Sequence, residues 1–141
     1  MLIQPYLFFN GNCEQAFAFY REALGATIEH MMRYRDSPEA PPPGCVPPGA
    51  EDKIMHASLL IGDARLMASD DASGQSDGFK GFSVSVTAPD AQVAKRWFDA
   101  LAVQGTVMMP LGPTFYSPCF GMLTDRFGLG WMVIVDPPAA P

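Results

Sequence analysis

The stretch that most constrains this chain is Pro5 to Gly25, PYLFFNGNCEQAFAFYREALG. It reads as a strand over Tyr6–Phe9, a polar turn at Asn10-Gly11-Asn12, a helix of about three turns, and a glycine stop at Gly25. Asn12, with Gln15 three residues on, is a helix start in which the Asn12 side chain caps free N–H groups. Ala16, Phe19, Tyr20, Ala23 and Leu24 recur at helical spacing, and Gly25 suits the left-handed geometry that ends a helix. The plan then recurs. Phe82–Val86 is again a strand, Pro89-Asp90 opens a helix, Trp97-Phe98 stands where Phe19-Tyr20 stood, and Leu101 and Gly105 close the copy. The aromatic pairs lie 78 positions apart (97 − 19), about half of the 141 residues. Two copies of one module are expected, over 1–70 and 80–136, within a single domain.

Between these anchors the chain fills in with strands. Thr27–Tyr34 and Lys53–Ile61 are expected strands, and in the latter Met55, Ala57 and Leu59 face one side while Ile54, His56, Ser58 and Leu60 face the other. Gly62-Asp63 turns into a strand over Ala64–Ser69, and the polar, glycine-rich segment 70–80 joins the halves. The second half offers a helix over Ala91–Ala102 with Trp97, Phe98 and Leu101 buried. Strands follow over Thr106–Met109, Phe120–Thr124 and Trp131–Val135, with Asp125 fixing the last hairpin. The order strand–helix–three strands, twice, defines an α+β fold. Segment 36–51 holds six of the fourteen prolines, which excludes a helix or central strand there. It is either a solvated connection, a lid over a pocket or an arm to a second subunit.

Composition narrows the function classes. A net charge of −6 without a basic cluster argues against nucleic acid and anionic membranes as partners. No apolar run is long enough to span a bilayer, and the N-terminal residues lack signal-peptide features, so a cytoplasmic location is expected. Cys13, Cys45 and Cys119 are odd in number and irregularly spaced, as free thiols in a reducing compartment would be.

These words together resemble the vicinal oxygen chelate superfamily of glyoxalase I and the bleomycin-resistance proteins, within it the PhnB-like branch. The matching segments are 5–26, Lys53–Asp70 (KIMHASLLIGDARLMASD), Gly81–Val86 (GFSVSV), Lys95–Gly105 (KRWFDALAVQG) and Phe120–Val135 (FGMLTDRFGLGWMVIV). The resemblance implies two βαβββ modules whose curved sheets wrap a shared cavity, usually in a homodimer. PhnB-like proteins often carry a demethylubiquinone methyltransferase label, but this chain has no glycine-rich strand–turn–helix for an adenosyl cofactor, and no cofactor is expected.

Metal-using relatives place His, Gln or Glu ligands on the first and last strands of each module. Transferred by position, those sites fall here on Pro5, Leu66 or Met67, Phe82 (or Gly81) and Met132, none a ligand for a hard cation. The resemblance therefore implies no metal. It implies instead a lining of Met67, Phe82, Phe115, Trp131 and Met132 for a flat or apolar small molecule, with Tyr116 at the mouth. His56 is the one candidate catalytic residue, either a ligand-orienting donor or general base, or a histidine simply hydrogen-bonded in place. Ser69 and Asp70 either pair with it or cap a turn. The expected function is small-molecule binding in a metal-free pocket. The alternative is a glyoxalase- or dioxygenase-type lyase or oxidoreductase, using a divalent metal or His56 acid–base chemistry.

Overall fold

A computed structural model describes residues 1–39 and 46–138. Cys45 and the centre of the proline-rich segment lie outside these residues. The chain divides into two compact units, Met1–Gly78 and a second beginning at Phe79. Each carries a four-stranded mixed sheet and one long helix, and neither sheet closes into a barrel.

The first unit comprises β1 (Tyr6–Phe9), α1 (Cys13–Leu24), β2 (Thr27–Arg33), β3 (Ile54–Ile61) and β4 (Ala64–Asp70). The second comprises β5 (Val84–Ala88), α2 (Ala91–Leu101), β6 (Thr106–Gly112), β7 (Cys119–Thr124) and β8 (Gly130–Val135). The sheet orders β1-β4-β3-β2 and β5-β8-β7-β6 are the same topology read twice, each with one parallel pair, β1 with β4 and β5 with β8. The α+β plan and its repetition are thus as the sequence leads one to expect.

Helix α1 buries Cys13, Ala16, Phe17, Tyr20, Ala23 and Leu24, a stripe at helical spacing that rotates Phe19 to a half-buried flank. Trp97 of α2 is half-buried in the corresponding place, with Ala94, Phe98 and Leu101 inside. Gly25 ends α1 at φ +67, as expected. After α2 the left-handed residue is Gln104 (φ +60), and Gly105 has a different reason to lack a side chain: a Cβ there would collide with the Thr124 carbonyl oxygen. The Asn12 side chain makes no cap hydrogen bond. Asp90 does cap α2, accepting from the Val93 N–H at 2.9 Å.

Three boundaries move for physical reasons. β5 begins at Val84 rather than Phe82, because Gly81 takes φ +79 and the parallel ladder to β8 starts only at Trp131. β6 runs on through Pro110, which an edge strand tolerates, beside a register irregularity between Met109 and Gly112. In β3, His56 pairs with Met32 and Ile54 with Arg33, leaving Met55 as an extra residue. This bulge reverses the alternation, so Ile54 is buried along with Ala57 and Leu59 instead of opposite them.

The flanks of the proline-rich segment are tied together. The Tyr34 and Arg35 N–H groups donate to the Lys53 and Glu51 carbonyls, and Arg35 pairs with Asp52.

Candidate functional site

Each sheet has a helix side and an open side, separated by the strict alternation of strand side chains. In the first unit Leu7, Phe9, Leu66, Ala68, Ala57 and Leu59 fill the helix side and are buried. The open side is polar and aromatic. Directly opposed positions set a row across all four strands: Tyr6 on β1, Met67 on β4, Ser58 on β3 and His30 on β2. Phe8 lies opposite Ser69 one step along, and His56 opposite Met32.

The centre of this face is a built contact. The Tyr6 hydroxyl lies 3.0 Å from His56 Nδ1, and the two rings stack at a centroid distance of 5.6 Å and 30°. Phe8 also packs against Tyr6 at a centroid distance of 5.2 Å, and His30 approaches His56 at 5.7 Å. Tyr6 and Phe8 stay exposed, Phe8 at 56%, although both are large aromatics. Beyond Ser58, the bulged residue Glu29 accepts from Ser58 Oγ at 2.9 Å and from Arg65 Nε at 2.8 Å. Those hydrogen bonds, Arg65's first, hold the Glu29 carboxyl below its ordinary range.

The residues singled out in the sequence fall in several places. His56, Met67 and Ser69 share this open face, with Ser69 buried opposite Phe8 in the register. Asp70 points to the helix side and is buried. Its Oδ1 accepts the N–H groups of Gly11 (3.0 Å) and Cys13 (2.9 Å), and its Oδ2 accepts that of Ile54 (2.9 Å). Asp70 therefore supplies the α1 cap that Asn12 does not, and its carboxylate bonds to backbone rather than to His56. The neighbouring Cys13 thiol is pushed far up by burial, then by the Asp70 and Glu14 charges, which makes it a poor nucleophile.

In the second unit Trp131 is fully buried on the helix side, its indole N–H donating to Asp125 Oδ2 at 2.8 Å. Asp125 Oδ1 accepts the Phe127 and Leu129 N–H groups, fixing the β7–β8 hairpin as the sequence suggests. Met132 lies on the open side opposite Met122, next to Phe120 and Ile134. Tyr116 stacks edge-on against Phe120 at 5.4 Å and Phe115 against Tyr116 at 4.9 Å, leaving Phe115 99% exposed. Phe82 precedes β5 and packs edge-on to Phe79.

Of the positions to which the resemblance assigns the superfamily's metal ligands, Met67 and Met132 lie on the open faces, Leu66 is buried on the helix side, and Pro5 and Phe82 precede β1 and β5. The side chains of proline, leucine, methionine and phenylalanine offer no oxygen or imidazole donor, and no group of three His, Cys, Asp or Glu able to hold an ion occurs among the described residues. The donor set does not fit a divalent ion at these positions. Tyr6 and Phe8 were not among the candidates drawn from the sequence. The signal for them, aromatics at alternate positions of one strand, is masked by the equally apolar Leu7 and Phe9.

Twin βαβββ units with this strand order are the fold of a known class. Residues 2–133 match the model of the Glyoxalase/Bleomycin resistance protein/Dioxygenase superfamily, and the chain belongs to it. It is 34% identical over 142 aligned positions to Protein YjdN of Escherichia coli strain K12, covering 96% of this chain and 95% of that protein. Among solved structures it is similar to protein PA1353 of Pseudomonas aeruginosa, at 48% identity and a TM-score of 0.86 over 96% of this chain and 98% of that one. It is also similar to a PhnB protein of Bacillus cereus, at 27% identity and a TM-score of 0.75 over 96% and 99%. No helix among the described residues is long and apolar enough to cross a membrane.

Proposed function

We propose that this protein binds a small aromatic or otherwise apolar molecule on the open face of its first sheet, without a metal at the positions its superfamily uses. The observation that carries this reading is the row Tyr6–Met67–Ser58–His30, with Phe8 and His56 beside it. It keeps aromatic and thioether surface exposed around a few polar atoms, the composition of a ligand site rather than of a solvated sheet. Ser69 lies opposite Phe8 on the same face. In the second unit Met132 and Tyr116, the latter packed on the buried Phe120, form a more limited apolar surface, flanked by Phe115, with Phe82 near the start of β5. The reading includes a homodimer in the cytoplasm, in keeping with the unpaired, buried Cys13 and Cys119.

Thermal melts test it. A planar aromatic compound at ten times its Kd stabilises the folded state by about 1.4 kcal/mol, on the order of 4–6 °C in Tm for a chain of this size. Nickel and zinc salts are expected to leave Tm unchanged. A rise with either ion and none with any aromatic compound would favour a glyoxalase- or dioxygenase-type enzyme instead. The placement of His56 Nδ1 against a phenol gives that second reading its acid–base group.

A further inference from the structure

We propose that the Tyr6–His56 pair is the polar anchor of this site and selects aromatic molecules carrying a hydroxyl or carbonyl oxygen over plain hydrocarbons. The inference rests on the small-molecule reading above and gives it a ligand class. Its starting point is the hydrogen-bond inventory of the two side chains. Among the described residues the Tyr6 hydroxyl has His56 Nδ1 as its one hydrogen-bond partner, and His56 Nε2 has none. Neutral imidazole carries one proton on its two nitrogens, so two arrangements exist. With the proton on Nδ1, that nitrogen donates to the phenol oxygen, leaving the Tyr6 O–H free to donate and Nε2 free to accept. With the proton on Nε2, the Tyr6 O–H donates to Nδ1, leaving Nε2–H free to donate and the phenol oxygen free to accept.

Either way the pair offers one free donor and one free acceptor, exchanged by moving the imidazole proton between its nitrogens and rotating the Tyr6 O–H. A phenol needs both functions, and a conjugated carbonyl needs the donor. A hydrocarbon needs neither and would cover both without compensation. The surrounding rings supply the rest of the recognition. Phe8 and Tyr6, tilted 41° at 5.2 Å, present aromatic surface, and Met67 stands directly across the ladder from Tyr6. Glu29 is engaged by both Arg65 and Ser58, and Arg65 by Glu29, so the two charges satisfy each other rather than the neutral ligand oxygen.

The test compares 2-naphthol with 2-methylnaphthalene, planar molecules that differ by a hydroxyl in place of a methyl group of similar size. Kd for each is measured by fluorescence titration on the wild-type protein and on Tyr6→Phe, which keeps the ring and its stacking. The wild type is expected to bind 2-naphthol about tenfold more tightly than its methyl analogue, the discrimination one well-placed hydrogen bond supports. Tyr6→Phe is expected to bring that ratio to within about twofold of one, by weakening 2-naphthol and by sparing the methyl analogue the covering of an unpaired hydroxyl. His56→Gln, verified as folded by its melt, is expected to lower the ratio as well. Equal binding of both compounds by the wild type, or a ratio that survives both substitutions, would overturn the anchor while leaving aromatic binding standing. Failure of the wild type to bind either compound would overturn the anchor and the small-molecule reading together.

Discussion

Replacing Asp70 by alanine is expected to destabilise the first unit by about 3–5 kcal/mol, read as a lower denaturant midpoint in equilibrium unfolding. The carboxylate is buried and accepts three backbone N–H groups, those of Gly11, Cys13 and Ile54. Each bond to a charged acceptor contributes about 1.5–3 kcal/mol, and truncation leaves all three donors without a partner in the protein interior. The losses are not additive, because the same backbone can relax once for all of them. The three donors join the β1–α1 turn, the first residue of α1 and the start of β3, so the cost falls on tertiary structure as much as on the helix. Lys53, which reaches the Gly11 carbonyl at 3.1 Å, holds the same turn from its other side. Asp70→Asn is expected to recover part of the loss, since its amide oxygen still accepts while its NH2 faces a donor. An alanine variant within about 1 kcal/mol of wild type would contradict this role.

Asp125→Ala is expected to cost about 2–4 kcal/mol in the second unit by the same mechanism. Its carboxylate serves the Phe127 and Leu129 N–H groups and the Trp131 indole. This variant carries a spectroscopic signature. Trp131 is fully enclosed and its N–H loses its acceptor, so the hairpin loosens around it and tryptophan emission shifts to the red. Trp97 is half-buried on the α2 flank and contributes the same signal to both proteins. A loss of stability without a change in emission would place the damage elsewhere in the hairpin.

The sequence yields the repeated architecture readily because each module announces itself twice over, by a change of hydrophobic period at the turn and by a helix stop. Its site is legible only in part. The TYR–LEU–PHE–PHE run of β1 and the WMVIV run of β8 are apolar at every position, and alternation says nothing about facing when both parities are apolar. The cavity lining inferred from the resemblance therefore includes Trp131, which lies on the helix side, and omits Tyr6 and Phe8, which lie open. The face of His56 could be read correctly, whereas that of Ile54 could not, because a bulge at Met55 has no marker in composition. Asp70 is a different case. Its partners Gly11 and Cys13 lie 59 and 57 residues away, and the local pattern at Asn12 offers a plausible cap that the fold does not use.

An aromatic ligand is expected to land on the open face of the first sheet. The most direct measurement is a titration of methionine-methyl-labelled protein with 2-naphthol, followed by NMR. The nine methionines sample both units, and ring currents move the methyl groups nearest the ligand. The Met67 signal is expected to shift most, with Met32 following, and Tyr6→Phe to weaken both responses. Shifts confined to Met122 and Met132 of the second sheet, or no saturable shift at all, would contradict this placement.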